Sequence, residues 1–189
     1  MRDTIRTFVA IKIQPEETLI AQLSEFKRIF KRECINWIPE DNFHLTLRFI
    51  GDTTREQLYT LVDRLEELAL LFDPFDISVE GAGYFSSKGK PRVLLVKIKY
   101  PEVLSKLVAG VERAVVETGF HAELKTFRPH LTLGRIKHLE SRTRFTEVLD
   151  SIDKIEYQHQ TVDEFIIYQS ILRPEGPAYK PIQKFEFEK

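Results

Sequence analysis

Hydrophobic residues recur along this chain at two different spacings, which predicts a mixture of strands and helices. Residues 7–13 are apolar and rich in β-branched side chains, as in a buried strand. After Pro15, apolar residues such as Leu19, Leu23 and Phe26 return every three or four positions, as on one face of a helix. The same criteria predict strands over about 7–13, 43–50, 76–85, 93–100, 129–137, 161–172 and 181–188, and helices over about 15–30, 54–69, 102–118 and 144–152.

The predicted elements follow the order β-α-β-α-β-β-α-β-α-β-β, which is nearly one unit repeated twice. A repeat this long, present in only two copies, argues against a solenoid. Thr54 and Gln57 fit a capping box at the start of the second helix. No flexible linker or low-complexity stretch separates the two halves. We therefore predict an α+β fold in which residues 1–189 form a single two-lobed domain.

Charge and composition limit what the chain can bind. Its 28 Lys and Arg residues and 29 Asp and Glu residues nearly cancel, so the net charge is −1 at pH 7. This balance argues against binding along a long nucleic acid, whereas a short or end-specific one needs only a local basic patch. The single cysteine, Cys34, excludes an internal disulfide and fits a reducing compartment. No apolar run reaches the roughly 18 residues of a membrane span and no signal peptide is evident, so we expect a cytoplasmic protein.

The tetrapeptide His-Leu-Thr-Leu occurs twice, beginning at His44 and at His130, each time inside a predicted strand. Side chains alternate between the two faces of a strand, so His44 and Thr46 share one face, as do His130 and Thr132. Each strand therefore offers an imidazole and a hydroxyl on a rigid element. If the two halves are related by a pseudo-twofold axis, the two imidazoles face each other across one cleft.

Two facing imidazoles suit in-line cleavage of a phosphodiester without a metal ion. One imidazole removes a proton from the attacking water, and the other, protonated, delivers a proton to the departing oxygen. Histidine titrates near pH 6.5, so one neutral and one charged copy coexist near neutral pH. The hydroxyls of Thr46 and Thr132 can donate to the non-bridging phosphate oxygens, where negative charge accumulates.

Other chemistries fit these residues less well. A zinc site needs three or four ligands, commonly including thiolate or carboxylate, and both motifs carry threonine at the paired position. We therefore expect no metal and no cofactor. His121, His138 and His159 have no partner motif and are expected at the solvated surface. No serine stands in a tight strand-to-helix turn, so a serine triad has no support.

The motifs and their flanks resemble those of the two-histidine (2H) phosphoesterases. FHLTLRFIG at 43–51 and RPHLTLGR at 128–135 are similar to the paired H-x-T-x motifs of the bacterial and archaeal RNA 2′,3′-cyclic phosphodiesterases, also called 2′-5′ RNA ligases. The segments GYF at 83–85, PRV at 91–93 and YQSIL at 168–172, with Gly176 and Tyr179, strengthen the resemblance. It implies the LigT-like fold: two duplicated β-α-β-α-β-type units whose antiparallel sheets surround a central cleft.

The resemblance also implies a reaction and a role for each site residue. The implied reaction is hydrolysis of a terminal 2′,3′-cyclic phosphate on RNA to a 2′-phosphate. By motif position His44 is the proton donor to the 3′-oxygen and His130 the proton acceptor from water, while Thr46 and Thr132 hold the phosphate. Family members carry an arginine just after the second motif, where Arg135 stands. Simple alternation from His130 places Arg128 on the His130 face and Arg135 on the opposite face, unless a bulge or strand end turns Arg135 back.

The expected partners are RNA ends or short oligonucleotides carrying a 2′,3′-cyclic phosphate, bound by a monomer away from any membrane. Lys88, Lys90 and Arg92, between the third and fourth predicted strands, and Arg173, in the last loop, are further candidate RNA contacts. Two alternatives stay open. The same residues could run the reverse reaction, 2′-5′ RNA ligation, or the cleft could serve a nucleotide- or RNA-end-binding module with little turnover.

Overall fold

The computed structural model describes residues 4–174 and 176–188. The termini of the predicted domain (1–3 and 189) and position 175 of the last predicted loop lie outside these residues. The described chain forms nine strands, four α-helices and a short 3-10 helix, Glu40–Asn42. The strands are β1 Thr4–Lys12, β2 Cys34–Trp37, β3 His44–Thr54, β4 Phe75–Ser87, β5 Lys90–Lys99, β6 His130–His138, β7 Glu156–Val162, β8 Glu164–Ile171 and β9 Ala178–Glu186. The helices are α1 Glu17–Ile29, α2 Arg55–Ala69, α3 Glu102–Glu117 and α4 Arg142–Ser151.

The strands form two antiparallel sheets, and each sheet contains one HLTL strand. The four-stranded sheet has the order β3-β1-β8-β9, and the five-stranded sheet has the order β2-β6-β5-β4-β7. All paired strands are antiparallel, which confirms the predicted α+β fold with two antiparallel sheets. The sheets exchange elements: β2 from the first half pairs with β6, while β8 and β9 from the second half complete the sheet of β1 and β3.

Two strands differ from the sequence prediction. The four-residue strand β2 was not predicted because it is too short to show a periodic pattern. The single strand predicted over 161–172 was wrong: the chain passes at Asp163 from β7, which pairs with β4, to β8, which pairs with β1 and β9.

Two glutamine side chains, Gln158 and Gln160, make the sequence of β7 look polar and link the two sheets. Gln158 is only 3% exposed. Its side-chain carbonyl accepts from the backbone N–H of Glu16 (2.9 Å), and its amide donates to the Gln14 carbonyl (3.0 Å). The Gln160 amide donates to the Lys12 carbonyl at 2.8 Å. These bonds connect β7 of the five-stranded sheet to the chain that leaves β1.

The helices bury the apolar stripes that the sequence predicts. The buried residues of α1 are Leu19, Leu23 and Phe26, and those of α2 include Leu61 and Leu65. The capping box of α2 is confirmed: the Gln57 N–H donates to the Thr54 hydroxyl, and the Thr54 N–H donates to the Gln57 side chain. Within the described residues, no helix is both long and apolar enough to cross a membrane.

A second apolar cluster lies apart from the main core. It consists of Phe8, Ala10, Ile166 and Tyr168, with Tyr179 packed against it. These residues come from β1, β8 and β9. Their neighbours in sequence, such as Val9 and Ile167, belong to the main core instead. The four-stranded sheet therefore has apolar side chains on both faces, and the smaller cluster lies on the same face as the first histidine.

Candidate active site

The two HLTL segments occupy matching places on β3 and β6. His44 and Thr46 are half-buried and alternate with Leu45 and Leu47, which belong to the main core; His130 and Thr132 alternate in the same way with Leu131 and Leu133. Each motif thus anchors its strand through two leucines and presents the imidazole and hydroxyl on the opposite face. The alternation predicted from the sequence is present in both strands.

Both strands have the same irregularity one residue beyond the threonine. On β6, Leu95 of β5 faces Thr132 while the preceding Leu94 faces Gly134, so Leu133 is an extra residue. On β3, Ala10 faces Thr46 and Val9 faces Arg48, so Leu47 is the extra residue. An extra residue of this kind is a β-bulge, and it reverses the alternation for all residues that follow.

The bulge on β6 turns Arg135 to the same face as His130. Its neighbour Ile136 is buried in the core, whereas Arg135 is exposed. The charge of Arg135 lowers the pKa of both His44 and Tyr179, which places the guanidinium near the first histidine. The placement that strict alternation assigns to Arg135 is therefore wrong, and the bulge is the physical reason.

The two histidines are oriented by identical backbone contacts. Nδ1 of His44 lies 2.6 Å from the carbonyl oxygen of Asn42, and Nδ1 of His130 lies 2.6 Å from the carbonyl oxygen of Arg128. A carbonyl can only accept, so Nδ1 carries the proton in both rings. Nε2 is then the nitrogen available for proton transfer on each imidazole.

Aromatic rings surround both imidazoles and partly exclude water. The ring centroid of His44 lies 5.2 Å from Phe8 and 5.1 Å from Tyr179, and that of His130 lies 4.6 Å from Phe85. Burial disfavours the charged form of histidine and is the largest cause of the lowered pKa of both residues. Each carbonyl contact opposes this shift, because it favours the protonated ring.

Nearby positive charges lower the pKa of His44 further. They are those of Lys12, which pairs with His44 across β1 and β3, of His130, and of Arg135. His44 and Lys12 belong to the four-stranded sheet and His130 and Arg135 to the five-stranded sheet, so the charges that act on His44 come from both sheets. A negatively charged group placed among these residues would be attracted by all four side chains and would raise the pKa of each histidine.

A cavity of about 910 Å³ adjoins Thr46 and His130 between β3, α3 and the segment before β6. Its wall includes three phenylalanines, Phe49, Phe85 and Phe127, together with the side chain of Arg128. Phe49 is 58% exposed, which is unusual for a large apolar residue on a strand. Arg128 therefore lines this cavity, while its backbone carbonyl orients His130.

Arg48 on β3 makes ion pairs with two residues of the cavity wall. Its guanidinium lies 2.5 Å from a carboxylate oxygen of Glu112 on α3 and 3.6 Å from one of Glu123. It also donates to the His121 carbonyl at 2.7 Å. Glu112 in turn accepts from the backbone N–H of Glu123 at 2.7 Å. These contacts hold the irregular segment 119–129, which carries Phe127 and Arg128, against the strand of the first motif.

Several residues of this site were not predicted from the sequence, among them Lys12, Asn42, Phe8 and Phe49. Asn42 contributes a backbone carbonyl, for which its side chain gives no signal, and Phe8 and Lys12 reach His44 only because β1 pairs with β3. Tyr179 and Phe85 lie in segments that carry the family resemblance, but no role followed from that.

Other sequence candidates lie away from the histidines. Lys88 and Lys90 are exposed at the β4–β5 hairpin, and Arg173 is exposed after β8. The Arg92 guanidinium donates to the Lys137 carbonyl at 3.4 Å. Within residues 4–174 and 176–188, no three His, Cys, Asp or Glu side chains are grouped so as to hold a metal ion.

Comparison with known proteins identifies the family. The chain matches the family described as LigT like Phosphoesterase over residues 11–95 and 97–179, each segment containing one HLTL motif. It is 34% identical to the RNA 2′,3′-cyclic phosphodiesterase of Thermotoga maritima, over 97% of this chain and 96% of that protein. TT0787 of Thermus thermophilus shares the fold with a TM-score of 0.79 and 28% identity, over 97% of this chain and 98% of that one. Apo E. coli LigT has a TM-score of 0.74 at 22% identity, over 99% of each chain. The chain therefore belongs to the LigT-like phosphoesterase family, the family of the two-histidine motifs.

Proposed function

We propose that this protein hydrolyses the 2′,3′-cyclic phosphate at the end of RNA to a 2′-phosphate, using His44 and His130 as general acid and base. One observation carries the proposal: two imidazoles on separate sheets are held by equivalent backbone contacts, with Nε2 free on each, next to Arg135. The relative from Thermotoga maritima bears the name of this activity.

The reaction follows from the free Nε2 atoms. Nε2 of neutral His130 accepts a proton from water, and the water oxygen attacks phosphorus. The bond between phosphorus and the 3′-oxygen breaks, and Nε2–H of protonated His44 delivers its proton to that oxygen. The products are a 2′-phosphate and a 3′-hydroxyl, and the two imidazoles have exchanged protonation states. The roles of the two histidines follow their positions in the family motifs.

The remaining side chains stabilise the charge that develops on phosphate. Thr46 and Thr132 share the faces of the two histidines, and no hydrogen bond engages either hydroxyl elsewhere in the described part of the chain. Both can therefore donate to non-bridging oxygens. Arg135 adds a permanent positive charge beside His44. Donors fixed in advance in a partly dry site are effective because they need no reorganisation during the reaction.

The aromatic cavity fits the nucleoside that carries the phosphate. It opens directly from Thr46 and His130, and Phe49, Phe85, Phe127 and Arg128 offer flat surfaces. Proteins bind unpaired bases by stacking on aromatic rings and arginine planes, which is tolerant of base identity. A terminal, unpaired nucleotide is therefore the substrate that this cavity suits.

Ligation is also available to the same residues. If a 5′-hydroxyl of another RNA replaces water, Nε2 of His130 accepts the proton of that hydroxyl and its oxygen attacks phosphorus. The bond between phosphorus and the 3′-oxygen breaks, His44 protonates that oxygen, and the product is a 2′-5′ phosphodiester. In dilute solution water greatly outnumbers RNA ends, so we expect hydrolysis to dominate.

The direct test is turnover of a cyclic-phosphate dinucleotide by the wild-type protein and by His44→Ala and His130→Ala. Each substitution should lower kcat by about two to four orders of magnitude, as is typical for loss of a general acid or base. His138→Ala is the matched control, because His138 is exposed at the end of the same strand as His130. It should leave kcat unchanged.

The same assay separates the alternatives. A wild-type protein that binds the dinucleotide without turnover would support the RNA-end-binding module instead. Activity that disappears after chelation and returns with zinc or manganese would contradict the metal-independent mechanism. Near wild-type turnover in either histidine variant would refute the acid–base assignment.

A further inference from the structure

Several exposed lysine and arginine side chains lie where the end of α1 meets the start of α4. Phe30 and Phe145 pack together there, with ring centroids 5.2 Å apart. The concave space between the two helices, about 400 Å³, is lined by Arg28, Ile29, Lys31, Arg32 and Arg144. We call Lys31, Arg32, Arg142 and Arg144 the α1–α4 basic surface. All four are exposed.

The charges of this surface lack carboxylate partners in the part of the chain that the structure describes. Arg28 pairs with Glu25 at 2.6 Å, but in the described residues none of the four members forms an ion pair with a carboxylate. The nearby Glu33 carboxylate accepts instead from the backbone N–H of Glu140 at 2.6 Å. In a chain whose net charge is −1, this is a local positive excess.

Two of these charges also work against the stability of their own helix. Arg142 and Arg144 stand in the first turn of α4, which contains no acidic residue. Positive charge at a helix N-terminus is unfavourable because it opposes the helix dipole. Thr54 and Glu56, by contrast, give α2 a favourable N-terminus. A bound anion would relieve this repulsion at α4.

A path of further cations connects the surface to the catalytic cleft. The Arg142 guanidinium donates to the Gly89 carbonyl at 2.9 Å, which places the hairpin of Lys88 and Lys90 beside α4. The next contact is that of Arg92 with the Lys137 carbonyl on β6. Lys137 lies two residues beyond Arg135, which is beside His44. Within the described residues, no ion pair engages any of the cations along this path.

We propose that the α1–α4 basic surface binds the phosphodiester backbone of RNA nucleotides that precede the cyclic-phosphate end. This inference rests on the proposed function, because it takes the reacting phosphate to lie between the two histidines. RNA then leaves the cleft past Arg135, crosses the end of the five-stranded sheet at the β4–β5 hairpin and reaches the two helices. The surface selects RNA ends over cyclic mononucleotides without reading their sequence, since phosphate contacts carry no base information.

The test compares two substrates of different length. They are a cyclic mononucleotide and an RNA decamer ending in a 2′,3′-cyclic phosphate. Arg32→Ala/Arg144→Ala removes two charges that make no side-chain hydrogen bond in the described chain. We expect KM for the decamer to rise about tenfold and the salt dependence of log KM to flatten by about 1.4, or roughly 0.7 for each lost phosphate contact. For the mononucleotide, kcat and KM should stay at wild-type values.

The matched control is Arg55→Ala/Arg113→Ala. It also removes two arginines without ion pairs in the described chain, one of them in the first turn of a helix, but on α2 and α3. It should leave both substrates unaffected. If Arg32→Ala/Arg144→Ala does not change KM for the decamer, or changes it no more than the control does, the inference is overturned.

A binding measurement separates this inference from the proposed function. Fluorescence anisotropy of a labelled decamer ending in a 2′-phosphate needs no turnover. Weaker binding by Arg32→Ala/Arg144→Ala alone would support the basic surface even if the wild-type protein hydrolysed neither substrate, an outcome that would refute only the proposed activity. Vesicles of anionic phospholipid are the second probe: equal RNA binding by both variants with a selective loss of vesicle binding would overturn the RNA assignment.

Discussion

Arg135→Ala tests whether the bulge on β6 supplies the phosphate-binding charge. The extra residue at Leu133 turns Arg135 to the cleft, and its charge reaches His44. Arg135 is exposed, so its removal leaves no cavity in the core and the protein should remain folded. Because alanine keeps the backbone of β6, the HLTL motif stays in place.

The expected loss is large and falls on the chemical step. Removing one fixed donor to a developing oxyanion costs about 10²–10³ in kcat, or roughly 2.7–4 kcal/mol. A second effect follows from the structure: the charge of Arg135 lowers the pKa of His44, so the substitution should raise that pKa. His44 must be protonated to act as the acid, and the basic limb of the pH profile should therefore move to higher pH.

The assay is hydrolysis of a cyclic mononucleotide between pH 5 and 9, with Arg128→Ala as the control. Arg128 lines the aromatic cavity, and the alanine variant keeps the carbonyl that orients His130. Arg128→Ala should raise KM and retain most of kcat. The assignment fails if Arg135→Ala keeps wild-type kcat, or if Arg128→Ala has the larger effect on kcat.

Four further predictions use other parts of the structure. Burial lowers the pKa of His44 and His130, so the bell-shaped profile of kcat/KM should be centred below the usual histidine value of about 6.5. For the same reason the unfolded chain binds more protons than the folded chain near pH 6. Urea titrations of the free protein should therefore show that the free energy of unfolding falls as pH drops below about 6.5, and the fall should be smaller in His44→Ala and in His130→Ala. Gly134→Ala would bring a Cβ within 2.6 Å of the Ile35 Cγ2, so thermal unfolding should show a loss of about 1–3 kcal/mol in the free energy of unfolding. Adding Ile35→Ala to this variant removes the clash and should restore part of the lost stability. Arg48→Ala should speed amide exchange in residues 119–129 and raise KM more than it lowers kcat; unchanged exchange would contradict the role of Arg48 as the tether.

The sequence was most informative where one periodic pattern was enough. The helical stripes of α1 and α2 and the capping box at Thr54 are local features, and each is present. The alternation within each HLTL motif is also local, because the two leucines must face the core. This is why the faces of His44 and His130 could be predicted before any strand pairing was known.

Strand pairing lay beyond the sequence pattern. β7 carries the buried Gln158 and the half-buried Gln160, whose partners are backbone groups more than a hundred residues away, so its pattern looks polar. The strand β2 is stabilised by pairing with β6 and not by its own four residues. Such elements depend on long-range hydrogen bonds, which periodicity does not report.

By itself, the sequence determined the two catalytic-type motifs, the α+β class and the family, because these rest on residue identity and on local alternation. Only the tertiary structure decided which side chains meet at the proposed phosphate site. Arg135 reaches the cleft because the pairing of β6 with β5 accommodates one extra residue. Side chains alternate between the two faces of a strand, so one extra residue reverses the face of every side chain that follows it. The lowered pKa of both histidines likewise comes from rings and charges contributed by other strands, which become neighbours only when the two sheets assemble.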